Sequence, residues 1–154
     1  MNLTDLQTIS IGNFRLKWRW TDPTYCELPE DELALIQPLS EGSAKQLWEK
    51  SRTFLEKDSD FSFDKERFQS VDSIKCTESK AVKQWLTDRL PTGALIISWR
   101  PDTAVLTQAA LFTKYWEEFC YPSSDDVAIW SETENWLLHY SHEEVFSFGR
   151  TVGV

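Results

Sequence analysis

Residues 94–99 read Ala-Leu-Ile-Ile-Ser-Trp, a continuous apolar run with Gly93 before it and Pro101-Asp102 after it. So short a run, without the alternating charges of a half-exposed strand, suits a strand buried on both faces in the middle of a sheet. The sequence on either side of it supplies helices. On the N-terminal side, Val82, Trp85, Leu86 and Leu90 form one side of a helix over 78–90, capped by Thr77 or Ser79 and ended by Pro91 and Gly93. Further back, Leu47, Trp48, Phe54 and Leu55 share a stripe on a helix over 44–57, with Ser43 as its cap and Gln46 completing a capping box. A short helix near 30–36 lies between Pro29 and Pro38, with Glu30, Asp31 and Glu32 at its positive dipole end. On the C-terminal side, Thr107 caps a helix over 108–119, whose dense aromatic face is Leu111, Phe112, Tyr115, Trp116 and Phe119. The stretch 104–106 is too short for periodicity to assign, and 58–76 carries no clear pattern.

Both ends of the chain read as strands. Over 8–20, Phe14, Leu16, Trp18 and Trp20 alternate with Arg15, Lys17 and Arg19 after a Gly12-Asn13 turn, which predicts a β-hairpin with the aromatic residues in the core. The tail reads as a three-stranded antiparallel meander over 127–130, 135–140 and 145–148. Strands at both ends around a helical middle give an α+β fold, an antiparallel sheet packed by two or three long helices. No linker interrupts residues 1–154, so a single domain is expected.

Composition narrows the function. Eight Trp, nine Phe and four Tyr among 154 residues supply a core without disulfides or a structural metal. The net charge of −9 argues against nucleic acid, whose phosphates call for clustered Lys and Arg. No run approaches the roughly 20 apolar residues of a membrane span. Cys26, Cys76 and Cys120 form no CxxC pair, and the start of the chain is polar, so reduced thiols and a cytoplasmic location are expected.

The chemistry-bearing residues are few. His139 and His142 have HxxH spacing, but a strand would point them to opposite faces, so no metal site is expected. Cys120 sits near Asp125 and Asp126, a setting that disfavours thiolate and suits a small buried hydrophobe. Neither a phosphate-binding glycine loop nor a nucleophile elbow occurs, and no cofactor or catalytic residue is assigned. Acidity in the tail is the strongest functional signal. From residue 117 onward Glu117, Glu118, Asp125, Asp126, Glu132, Glu134, Glu143 and Glu144 face the single base Arg150. Meander geometry brings the 122–126 loop to the 141–144 turn, which predicts an acidic patch of Asp125, Asp126, Glu143 and Glu144 with Glu132 and Glu134 remote from it. A second candidate is an aromatic pocket of Trp99, Trp116, Trp136 and Tyr140; Trp130, beside a turn, is expected to be partly exposed.

The segment 115–150, with WEEFCYPSSDD and then WLLHYSHEEVFSFG, resembles blocks in small acidic bacterial proteins, some of them immunity proteins for secreted toxins. The resemblance implies a cytosolic binding protein that neutralises a basic toxin, and it assigns no functional residue. The function expected from the sequence is thus a small acidic binding protein for a basic protein. The alternative is a small enzyme or ligand-binding domain built around the aromatic pocket.

Overall fold

In the computed structural model, which describes residues 2–59 and 61–151, the apolar run at 94–99 is an inner strand of a seven-stranded antiparallel sheet. In chain order the elements are α1 (Trp18–Thr21), β1 (Cys26–Glu27), α2 (Glu30–Leu33), β2 (Gln37–Pro38), α3 (Glu41–Arg52), β3 (Phe68–Lys75), α4 (Ser79–Arg89) and β4 (Ala94–Arg100). Then follow β5 (Thr103–Gln108), α5 (Ala109–Lys114), α6 (Trp116–Phe119), β6 (Val127–Trp130), β7 (Trp136–Ser141) and β8 (Val145–Thr151). The strand order is β2-β5-β4-β6-β7-β8-β3. Residues 94–151 supply the five inner strands, and the earlier half of the chain supplies both edges.

Alternation along β4 divides the core. Leu95, Ile97 and Trp99 join Val82 and Leu86 of α4 and Phe112, Trp116 and Phe119 of α5 and α6 on one face. Ile96 faces the other side with Leu47 of α3, Phe54, Phe68, Trp130 and Leu137. Fully burying side chains of this size contributes roughly 1.5–3 kcal/mol each, and a strand covered on both sides gains it at nearly every position. The α+β class, the buried inner strand and the C-terminal meander therefore stand as the sequence implies. The helix at 44–57 begins earlier, because Ser40 and not Ser43 is its cap: the Ser40 side chain accepts from the Ser43 N–H, while Ser43 Oγ accepts from the Gln7 N–H at 2.8 Å.

Three expectations need correction. The N-terminal hairpin at 8–20 is absent from these described residues. In its place are a 3₁₀ turn at Ile11–Asn13 and the single helical turn α1. Phe14 and Trp20 are buried, but Trp18 is only half-buried, and Arg19, expected on the solvent face, is 4 % exposed. The alternation that reads as a strand arises because a cation is taken into the core, where it has an anionic partner far away in sequence. The helix expected over 108–119 is two short helices, since β5 runs on to Gln108 and Tyr115 breaks the turn at φ −118° and ψ 31°. Tyr115 donates its hydroxyl to Glu32 Oε1 at 2.6 Å, and Lys114 Nζ donates to Glu32 Oε2 at 2.8 Å, so this break is anchored to α2. Trp130 is fully buried against Phe54, not exposed beside its turn. The unassigned 58–76 stretch contains β3, which pairs with β8 along its length from Phe68↔Thr151 to Lys75↔Val145. No helix among the described residues is long and apolar enough to cross a membrane.

Candidate functional site

The 120–126 segment is organised by a buried ion pair. Arg19 Nη1 donates to Asp125 Oδ2 at 2.7 Å and Nη2 donates to Oδ1 at 3.1 Å, a bidentate fork between side chains that are almost wholly buried. Asp125 Oδ2 also accepts from the Tyr121 N–H at 2.8 Å, and the Arg19 guanidinium lies 4.2 Å from the Tyr121 ring centroid. Asp125 therefore does not belong to an exposed acidic patch. Its charge is spent on Arg19, which fixes Tyr121 and the chain leaving α6.

The remaining members of the expected patch divide. Asp126 Oδ1 accepts from the His142 N–H at 3.0 Å, with His142 Nδ1 also 3.0 Å away, and the Ser123 N–H donates to the His142 carbonyl at 3.0 Å. These bonds hold the 122–126 loop against the β7–β8 turn, which carries Glu143 and Glu144 exposed. Lys75 Nζ donates to the Glu143 carbonyl. Glu134 lies at the other turn, bound to Lys50 at 2.6 Å and Arg67 at 3.7 Å. The two histidines are held apart as well. His139 is buried, and burial pushes its imidazole down to about 4, whereas the hydrogen bond to Asp126 raises that of the exposed His142. Among the described residues no three of His, Cys, Asp and Glu come together to hold a metal ion.

The expected aromatic pocket is core: Trp99, Trp116, Trp136 and Tyr140 are each at most 6 % exposed. Trp99 Nε1 donates to the Phe119 carbonyl at 2.9 Å, and Trp136 stacks on Phe148. Large apolar rings on inward positions of a sheet covered on that side have nowhere else to go.

Two of the four, Trp116 and Tyr140, also reach a cleft that the sequence does not disclose. Its volume is about 470 Å³. Its lining joins the buried Trp116, Cys120 and Tyr140 to Tyr25, Tyr121 and Pro122 and to Cys76, Thr77 and Ser79. Glu117, Glu118 and Glu144 are its charged residues, and neither Lys nor Arg contributes to the lining among the described residues. Ser79 Oγ donates to Glu117 Oε1 at 2.6 Å, joining α6 to the first turn of α4. Burial, and then the neighbouring Glu117 charge, raise the Glu118 carboxyl. Burial pushes the Cys76 thiol up to about 11 and the enclosed Cys120 thiol well above its ordinary value, so both stay protonated at neutral pH. The Tyr140 hydroxyl is likewise held protonated by burial, with Cys120, Cys76 and Glu144 next in effect.

Aromatic walls, neutral hydroxyl and thiol groups and three carboxylates are chemically suited to a cation with an apolar stem. Protonated thiols lack the nucleophilic form that attack would need. The hollow between Ile9, Ile11, Leu33 and Ile36, of about 410 Å³, is by contrast mainly apolar. Comparison with family models, with curated proteins and with solved structures returns no significant match, so function rests on this geometry.

Proposed function

We propose that the protein is a small binding protein that captures a basic protein partner on the acidic end of its sheet, around the 116–122 segment and the β7–β8 turn. The observation that carries this reading is that three carboxylates without ion pairs, Glu117, Glu118 and Glu144, line one cleft to which no Lys or Arg contributes among the described residues. Several carboxylates elsewhere are matched within the chain, Glu32 with Lys114, Asp102 with Arg15, Asp72 with Arg89, Glu134 with Lys50 and Asp125 with Arg19. Glu117, Glu118, Glu143 and Glu144 take part in no ion pair among the described residues, and they adjoin a cleft without a cationic lining residue. Concentrating like charge raises self-repulsion, and a cationic partner relieves it. Reversible capture of a basic toxin, in the manner of an immunity protein, would use such a surface and needs no catalytic group.

The test uses a 12-residue peptide of alternating Arg and Gly as the cationic probe. Its association should slow by at least about tenfold between low and high salt, and by about as much again in the E117K/E143K double variant. The unfolding midpoint of that variant should stay close to the parent's. An association rate indifferent to both salt and charge reversal rejects the reading.

A further inference from the structure

The hydroxyl of Tyr140 is the feature of the cleft that acidity does not explain. Tyr140 is 1 % exposed, lines the cleft and has no hydrogen-bond partner among the described residues. A tyrosine side chain this enclosed normally has a hydrogen-bond partner for its hydroxyl. Tyr140 lines the cleft together with Cys120, Cys76 and Glu144, so its unpartnered hydroxyl is within reach of a molecule bound there. A ligand there would meet the Tyr140 hydroxyl, carboxylates nearer solvent and the tyrosine rings of the lining.

We propose that this cleft is a receptor for one guanidinium group, an arginine side chain of the basic partner; this rests on the reading of the acidic end as its docking surface. Three features favour guanidinium over ammonium. The acceptors come from different elements, Glu118 from α6, Tyr140 from β7 and Glu144 from the β7–β8 turn, and a planar group with five N–H donors reaches several at once. Tyr25 and Tyr121 offer ring faces, on which guanidinium stacks. The chain already uses that contact: the guanidinium carbons of Arg52 and Arg89 each lie 4.2 Å from the ring centroids of Trp48 and Trp85. Because Tyr121 is backed by Arg19 and tied to Asp125, its ring is in place before any ligand arrives.

The experiment titrates the full-length protein with N-acetyl-arginine methylamide, its citrulline analogue (same shape, no charge) and its lysine analogue, followed by NMR. The arginine compound should bind saturably with shifts at Tyr140 and Trp116, at least about tenfold more tightly than citrulline and several-fold more tightly than lysine. Y140F, which keeps the ring and removes only the hydroxyl, should weaken arginine at least about threefold, and E118Q/E144Q at least about tenfold. Thermal midpoints of both variants identify any that fail to fold, and each tests the site independently. Equal binding of arginine and citrulline, equal binding of arginine and lysine, or an unchanged affinity in Y140F overturns the proposal. An agmatine titration separates the sources of the cation: binding about tenfold tighter than that of the peptide-bonded arginine overturns a partner's side chain as the occupant. If the single-residue probes fail while the Arg-Gly peptide still binds in a salt-dependent way, the guanidinium receptor falls and the acidic docking surface stands; if the peptide fails too, both fall.

Discussion

At the scale of single residues, two buried charges set the terms. Arg19 and Asp125 hold each other in a place where neither would be tolerated alone. D125A leaves a buried guanidinium without its anion and should cost about 3–5 kcal/mol, read as a lower urea midpoint. The R19M/D125L double variant, which removes both charges, should cost far less than the single change; equal losses would show that the pair is not coupled. His139 provides a pH dependence of known sign. Its folded value of about 4 lies below the ordinary value, which is about 6.5. Between those values the unfolded chain takes up a proton that the folded chain refuses. His139 therefore leaves stability intact above about pH 6.5 and removes up to about 1.4 kcal/mol per unit as pH falls from there toward 4. Urea midpoints at pH 7 and pH 5 should differ less in H139L than in the parent. His142 has the opposite sign, because Asp126 raises its value: its contribution is present below about pH 6.5 and fades as pH rises through the folded value. An equal pH response in H139L and parent would show that His139 is not the buried neutral base described.

At the scale of elements, what was legible depended on whether burial left a pattern. The β6–β7–β8 meander could be read because Trp136, Leu138 and Tyr140 alternate toward a covered face. Helix α4 could be read because Val82 and Leu86 are buried on one side and Pro91 and Gly93 follow its end at Arg89. Strand β3 could not, since from Gln69 to Ser73 it is exposed and is held by its ladder with β8, which leaves no periodic signature. The 8–20 segment was misread because alternation was interpreted on the assumption that cations face water, and Asp125 stands 106 residues from Arg19. The same distance hid much of the site. Glu143, Glu144 and the approach of the 122–126 loop were accessible from meander geometry, whereas Tyr25, Cys76 and Tyr121 meet only after three separate segments fold together. Loop placement alone puts Asp125 beside the 141–144 turn, but its carboxylate turns inward to Arg19. This element-level difference can be measured. W20A removes a fully buried ring stacked on Phe14 and in contact with Phe119, and should cost roughly 3–5 kcal/mol. W18A removes a half-buried ring lying edge-on to Tyr25 and Tyr121, and should cost clearly less. Were the segment a hairpin with one buried face, the two losses would be alike.

At the scale of the whole molecule, the strand order ties the two halves of the chain together. Five consecutive strands from 94–151 form the middle of the sheet, while β2 from residues 37–38 and β3 from residues 68–75 close its two edges. The inner strands need cover on both sides, and α3 and α4, which lie before them in sequence, provide much of it. Unfolding of the sheet should therefore expose both clusters together, with local openings confined to the edges. Amide hydrogen exchange gives this a residue-level form. The amides of Ile96, Ile97 and Ser98, which lie between β5 and β6, and those of Ile129 and Leu138 should exchange only through global opening. Those of Gln69–Ser73 should exchange faster, because β3 has a single strand neighbour and solvent on both faces. Tryptophan fluorescence and far-ultraviolet circular dichroism should give one coincident transition. Protection as strong in β3 as in β4, or a fluorescence transition separated from the loss of sheet, would contradict a cooperative unit centred on 94–99. The cleft lies where that unit meets its less protected parts: Tyr140 belongs to an inner strand, while Cys76 immediately follows β3 and Tyr25 lies in the short connection between α1 and β1. An occupant bridging these walls should slow exchange at Cys76 and Tyr25 while leaving Ile96–Ser98 governed by global stability. Protection gained uniformly across the sheet, with no excess at the two cleft walls, would place the ligand elsewhere.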